Sequence, residues 1–350
     1  MKKHFYGVLL ATLALLFSAC DKEPDTQPAL HEGDAYLLNE GSWGLNNATL
    51  SHINTADGDI YNDYFAAVNG RGLGDIACDA IAYGSKMYVT VTESKTIEVV
   101  DLRSGKSVKQ LSLSASPRYM VSHNGKVYVS CYDKTVRCLD TASLSLTDTC
   151  TLGNCMKPEG IAISGNKLFV CSSWGYSSNG NYEYDHKIIV VDLATFTATD
   201  TIAVGTNPQR IKAMADGRLV FNYSGNYSSE PSGMSILNPT TFAITELGVE
   251  ATNFDIYDGD IYLYYYDWVA MEGFFRRIDG STLAVTPFLE NISVTLTSLY
   301  GLSINPANGD IYVTDARDYM SSGDVLCFSH SGAYKWSAST GVGPSKVVFY

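Results

Sequence analysis

From Gly74 to about residue 340 the chain repeats one pattern. An apolar strand meets a Gly, Asn or Asp turn, and a second strand of alternating bulky residues follows. A loop leads to a third strand, often ending in Val-Asp or a relative, and a polar turn and a fourth strand close the unit. The turn into the second strand marks each copy: Gly84-Ser85-Lys86-Met87-Tyr88-Val89, Asn124-Gly125-Lys126-Val127-Tyr128-Val129, Gly165-Asn166-Lys167-Leu168-Phe169-Val170, and again at Asp216-Gly217, Asp258-Gly259 and Asn308-Gly309. Such turns between period-2 segments predict β-hairpins. Third strands recur at Ile97–Asp101, Val136–Asp140 and Ile188–Asp192. Six units are complete. At the ends, Pro344–Tyr350 reads as a first strand without a successor. Ala35–Asn39, Ala48–Asn54 and Asp59–Phe65 read as second, third and fourth strands without a first. Joining the ends closes a ring and removes the open sheet edges. The predicted fold is all-β: a seven-bladed β-propeller over 34–350, its last blade closed by one C-terminal and three N-terminal strands. Residues 34–350 give about 45 per blade, the usual period of this architecture. Amphipathic helical periodicity is almost absent. A pair of β-sandwiches is the alternative, and it leaves the even repeat and the orphan strands unexplained.

Residues 1–20 do not follow the repeat. Lys2 and Lys3 precede an apolar run from Phe5 to Ala19, which is short for a bilayer span of ~20 residues. The run ends Ser18-Ala19-Cys20, which resembles a bacterial lipobox and predicts a lipoprotein signal peptide with Cys20 lipidated and retained. A plain secretory signal is the alternative. Residues 21–33 form a polar, proline-containing tether. Its acids just after Cys20 resemble surface-export signals of some gut Gram-negative lipoproteins. The expected location is therefore the outer membrane, lipid-anchored and facing the exterior.

Formal charge is −13, and removing Lys2 and Lys3 makes it −15. A nucleic-acid binder or a polybasic membrane-surface protein would present a basic face, so both classes are disfavoured. The apolar fraction of 45% excludes intrinsic disorder.

Propeller geometry places second-to-third-strand loops and blade-to-blade links on one rim around the central channel. Aromatics concentrate in those loops: Trp43 in blade 7, Tyr132 in blade 2, and Trp174, Tyr176, Tyr182 and Tyr184 in blade 3. Blade 4 has Tyr223 and Tyr227, blade 5 has Tyr266 and Trp268, and blade 6 has Tyr319. Blade 1 has none, and Trp336 reads as packing on a late strand. The links add Arg71, Arg118, Tyr119, Lys157, Asn207, Arg210, Asn253, Tyr300 and Lys346, and the blade 6 loop adds Arg317. Aromatic faces beside amide and guanidinium donors suit a large amphipathic ligand with amide edges. Each aromatic has a packing alternative, and Arg71 and Arg210 have the alternative of binding carbonyls between blades.

Several segments resemble a known family: Asn39-Glu40-Gly41-Ser42-Trp43-Gly44, Asn69-Gly70-Arg71-Gly72-Leu73-Gly74-Asp75, Ile304–Val313 and Asp315-Ala316-Arg317-Asp318-Tyr319. They resemble the YncE-like, surface-layer-type propeller lipoproteins, over essentially the whole mature chain. Within that group the chain looks most like the outer-surface cobalamin-capture proteins of BtuG type, which sit on a TonB-dependent cobalamin transporter. The resemblance implies capture of cobalamin or a related corrinoid and delivery to such a transporter. Cobalamin would then be a transported ligand and not a cofactor.

Catalytic signatures are missing. His31, His52, His123, His186 and His330 are scattered, and H-E-x-x-H, G-x-S-x-G and P-loop motifs do not occur. Asp315, Asp318 and Asp324 lack calcium-loop spacing, and Arg317 among them favours a salt bridge over a cation. No metal, cofactor or reaction is expected. Besides Cys20 there are Cys78, Cys131, Cys138, Cys150, Cys155, Cys171 and Cys327. An oxidising compartment permits local bridges among the five in 131–171, and buried free thiols are the alternative. Competing functions are glycan binding without chemistry, a docking scaffold for a transporter, and an enzyme acting on glycans or lactones.

Overall fold

The computed structural model describes residues 33–176, 179–267, 270, 272–290, 292 and 296–350. They form seven four-stranded antiparallel sheets arranged as a ring of blades. The innermost strands of blades 1 to 7 are Ala77–Tyr83, Pro117–His123, Pro158–Ser164, Pro208–Ala213, Asn253–Tyr257, Leu299–Ile304 and Pro344–Phe349. Blade 7 pairs the C-terminal Pro344–Phe349 with Ala35–Asn39, followed by Thr49–Ile53 and Ile60–Tyr61. The expected closure by one C-terminal and three N-terminal strands is therefore present.

The hairpins follow their turn residues. Asn124-Gly125 and Asp258-Gly259 both carry positive φ at the two central positions, the type I′ geometry that matches strand twist. The second strands are buried on both faces, because each blade is covered by its neighbours; Met87 to Val91 are completely enclosed. Apolar layers fill the gaps between blades. Met87, Val89 and Val91 of blade 1 share one with Tyr36 and Leu38 of blade 7, and Val136 and Cys138 of blade 2 share another with Leu168 and Val170 of blade 3. Trp336 packs on Tyr312.

The fourth strand of blade 7 departs from expectation. The Asp59–Phe65 strand shrinks to Ile60–Tyr61, and helix α1 (Tyr64–Asn69) follows. Tyr64 and Phe65 bury one helical face, Ala66 and Ala67 favour the helix, and Gly70 at φ 67° closes it with its N–H on the Ala66 carbonyl. The seven cysteines other than Cys20 are all buried free thiols.

A repeated device sets the channel wall. In six blades the innermost strand carries a register shift one to three residues from its start: at Ala77/Asp79, Pro117/Met120, Pro158/Ile161, Pro208/Ile211 and Leu299/Gly301, and opposite Leu38/Asn39 in blade 7. Such bulges re-aim side chains. In four of these blades a buried polar residue on the second strand secures a shifted amide and reaches the next blade. Thr90 Oγ1 accepts from Asp79 N and donates to Arg118 O; Ser130 Oγ accepts from Tyr119 N and donates to Glu159 O. Asn222 links Arg210 N to the carbonyls of Ala251 and Thr252, and Thr314 links Gly301 N to Pro344 O. In blade 5 the Tyr264 hydroxyl donates to Tyr300 O.

Candidate ligand-binding face and channel mouth

The second-to-third-strand loops and the starts of the innermost strands lie on one face. Blade 3 rises above its neighbours there, because its second and third strands, Lys167–Tyr176 and Tyr182–Asp192, have 10 and 11 residues. This hairpin carries most of an aromatic wall spanning blades 2 to 4. Tyr132 meets Trp174 edge-on at 6.3 Å, Trp174 stacks on Tyr182 at 5.1 Å, Tyr182 meets Tyr184 at 5.1 Å, and Tyr184 meets Tyr227 at 5.8 Å. Tyr176 lies across both Trp174 and Tyr182.

The wall is not a row of free platforms. Trp174 is stacked on Tyr182, and the Lys157 ammonium lies 3.5 Å from the Trp174 ring centroid and 4.4 Å from that of Tyr132. Burial lowers the Lys157 pKa, with Glu159 opposing that shift. The most exposed rings of the wall are Tyr176 and Tyr227, at 66% and 73%, with Tyr182 at 48%.

Inside the wall a channel of about 580 Å³ runs between the innermost strands. Its mouth is polar. Arg118 Nε donates to Glu159 Oε2 at 2.9 Å, and the Tyr132 hydroxyl donates to Glu159 Oε1 at 2.5 Å. The Arg118 guanidinium lies 4.9 Å from the Tyr132 ring and 5.6 Å from Tyr119; that of Arg210 lies 5.5 Å from Tyr119. Glu40 accepts from the Tyr300 hydroxyl at 2.5 Å. Burial pushes the Glu40 carboxyl above its ordinary pKa, against the pull of Tyr300, Arg118 and Arg210. Burial likewise pushes the Cys78 thiol up to about 12. Further round the wall, Asp79 accepts from Lys346 Nζ and Met120 N, and Asp255 accepts from Lys212 Nζ and Ile304 N. Each aspartate thereby ties three successive blades.

Trp174, Tyr176, Tyr132, Tyr227, Arg118 and Arg210 thus share one side of the face. Other sequence-selected residues lie elsewhere. Arg71 turns to the blade flank, where it binds Glu98 and Ser107. The Tyr223 hydroxyl binds Glu246 on the outer strand of blade 4, and Tyr266 is buried with its hydroxyl on Thr297 O. Arg317 pairs with Asp324, while Asp315 and Asp318 cap local backbone amides. Trp43 is 78% exposed in a loop joined to blade 6 through Ser42 Oγ and Tyr319 O, and Tyr319 meets Tyr300 edge-on. Trp268 and Cys20 lie outside the described residues. Sequence reasoning passed over Glu40, Glu159 and Tyr264. A usable signal existed for Glu159: a proline opens four innermost strands, at 117, 158, 208 and 344, and the next residue starts the bulge.

No protein-family model and no curated protein matches the sequence. Solved structures do match. A quinonprotein alcohol dehydrogenase-like protein from Bacteroides thetaiotaomicron superposes with TM-score 0.63 at 17% identity, covering 91% of this chain and 78% of that one. Apo AztD from Citrobacter koseri gives 0.59 at 11% identity, covering 91% and 98%. The computationally designed Ika8 protein gives 0.58 at 10%, covering 90% and 89%. At these identities the likeness establishes the β-propeller fold.

Proposed function

We propose that the protein is a non-catalytic, lipid-anchored surface receptor that captures cobalamin or a related corrinoid and hands it to a TonB-dependent outer-membrane transporter. The observation that carries the reading is the contiguous aromatic wall of blades 2 to 4 beside a channel mouth rich in guanidinium and phenol groups. A corrin presents broad apolar faces, amide edges and a nucleotide loop. Tyr176 and Tyr227 supply open faces, and each aromatic contact contributes roughly 0.5–1.5 kcal/mol beyond area burial. The segments quoted above that resemble BtuG-type lipoproteins, and the lipobox-like Ser18-Ala19-Cys20, support the ligand and the location.

Calorimetric titration of the chain from residue 21 with cyanocobalamin tests this. The expected result is tight one-to-one binding, weakened about tenfold by Tyr176→Ala combined with Tyr227→Ala. Absence of cyanocobalamin binding overturns the corrinoid reading. Binding of an oligosaccharide in its place would assign the same wall to glycans, whose C–H faces also stack on aromatic rings.

A further inference from the structure

Among the described residues five cationic side chains line the channel or its mouth; Lys157 lies over the Tyr132 and Trp174 rings, and three others pair with carboxylates. Lys212 meets Asp255 at 2.6 Å, Lys346 meets Asp79 at 2.7 Å, and Arg118 meets Glu159 at 2.9 Å. Arg210 differs. Its backbone is pinned by Asn222, and the bulge at Pro208/Ile211 faces it into the channel. Among the described residues its guanidinium contacts the Tyr119 ring and has no hydrogen-bond acceptor or ion-pair partner. Arg118 approaches the same ring from blade 2, with only its Nε in a hydrogen bond. The Tyr119 hydroxyl has no hydrogen-bond partner among the described residues either. A guanidinium carries five N–H donors, and those of Arg210 are left open to a group that enters the channel.

We propose that the channel mouth is an oxyanion-binding site, with the guanidinium groups of Arg210 and Arg118 and the Tyr119 hydroxyl as donors. Its ligand is a phosphate-, sulfate- or carboxylate-type group. Guanidinium donors bind such groups through short, charge-assisted hydrogen bonds. A channel of about 580 Å³ admits one readily. Glycines at the corresponding positions of blades 3 and 6, Gly160 and Gly301, put no side chain in the way; a Cβ there would collide with the next blade's Gln209 and Ser345 carbonyls. The proposal does not depend on the corrinoid reading, and the two fail separately.

Glu40 is the competitor for these cations. Facing it are Tyr300 and Tyr319 from blade 6, Tyr264 from blade 5, Arg210 from blade 4, Glu159 from blade 3, Arg118 from blade 2 and Cys78 from blade 1. Burial pushes the phenols and the thiol upward, which keeps them neutral near pH 7. Protonating Glu40 removes a negative charge beside the donors, so anion affinity rises as pH falls.

Sulfate is the probe, because its charge is constant between pH 5 and 8. The full chain is titrated with sodium sulfate at fixed ionic strength by calorimetry. Saturable one-to-one binding that weakens as pH rises through the titration of Glu40 is expected. Arg210→Gln should lower affinity at least tenfold with the circular-dichroism spectrum unchanged. Glu40→Gln should raise affinity at pH 8 and flatten the pH profile. No saturable binding, or unchanged affinity in Arg210→Gln, overturns the site. Should that variant fail to fold, Tyr119→Phe and Glu40→Gln decide: sulfate affinity and pH profile unchanged in both overturn it. Competition with cyanocobalamin then identifies the source of the anion. Displacement of sulfate assigns the site to the corrinoid's own phosphate, and simultaneous binding assigns it to a free anion; both uphold the donors.

Discussion

The channel wall treats its charged groups in two ways. The carboxylates of Asp79 and Asp255 each receive one lysine and one backbone N–H, from the blades on either side. Their acceptor atoms are engaged and their geometry serves the ring. Arg210 stands on the same wall with its guanidinium bonded to no acceptor among the described residues, beside Arg118 and Tyr119. Buried charges are ordinarily paired and hydrogen-bonded. A clip that satisfies that rule holds the fold together. A half-buried group left without an acceptor and turned to the channel is poised for something outside the fold. The contrast separates residues whose loss unfolds the ring from residues whose loss empties a site.

The strongest way to break the contrast is Asp79→Ala. The Asp79 side chain is 4% exposed and its partner Lys346 is 36% exposed. Removing it strands an ammonium and the Met120 amide where blades 7, 1 and 2 meet. The half-exposed lysine retains part of its hydration, so the loss should be about 3 kcal/mol, at the lower edge for a broken buried pair. Urea denaturation checks this, and Lys346→Met added to Asp79→Ala should recover part of the loss. A change below ~1 kcal/mol would show that the aspartate clips do not hold the ring.

A smaller loss is expected from Thr314→Val, which keeps the shape and removes the hydroxyl. Gly301 N and Pro344 O then lose their partner at the junction with the closing strand. Two buried polar groups are left open, at about 2 kcal/mol by urea denaturation.

Glu40→Gln sharpens the contrast from the mouth. The folded-state pKa of Glu40 is raised above its unfolded value by burial. Its protonated form is the one the fold prefers, so its contribution is fully present below the ordinary carboxylate pKa near 4.3 and fades as pH rises through the folded value. Glutamine cannot ionise. The variant should therefore gain stability relative to the parent as pH climbs from 4 to 8. Parallel stability curves for the two proteins over that range would contradict the assignment.

How far the sequence could anticipate this division follows from what each part depends on. The blades were legible because hairpin turns and period-2 strands are local: Asn124-Gly125 specifies its own turn wherever it sits. The closure was legible from orphan strands at both ends. Helix α1 was not, since six residues are too few for periodicity to stand out, and burial of Tyr64 and Phe65 decides the matter. The blade 3 wall was legible as clustered aromatics. The covering of Trp174 by Tyr182 and Lys157 was not, because the lysine arrives from the link before the innermost strand. Arg71 and Arg210 look alike in sequence, each a cation near a blade junction. Only the three-dimensional partners distinguish them: Glu98 awaits Arg71, and no carboxylate among the described residues is bonded to Arg210.

The smallest expected change in stability is also the most informative. Arg210→Gln removes a full charge from the channel wall, yet no ion pair breaks. The Arg210 amide keeps its bond to Asn222, which does not depend on the side chain. The ring contact with Tyr119 is lost, and so is the penalty of holding a guanidinium in a half-buried place. These terms oppose one another and each is of the order of 1 kcal/mol. The unfolding free energy from urea denaturation should stay within ~0.5 kcal/mol of the parent, or rise. A destabilisation comparable to that of Asp79→Ala would place Arg210 among the clips and remove the distinction between the two kinds of charge. A near-zero change, measured alongside at least a tenfold loss of sulfate affinity, would mean that the arginine is retained for its ligand and not for the fold.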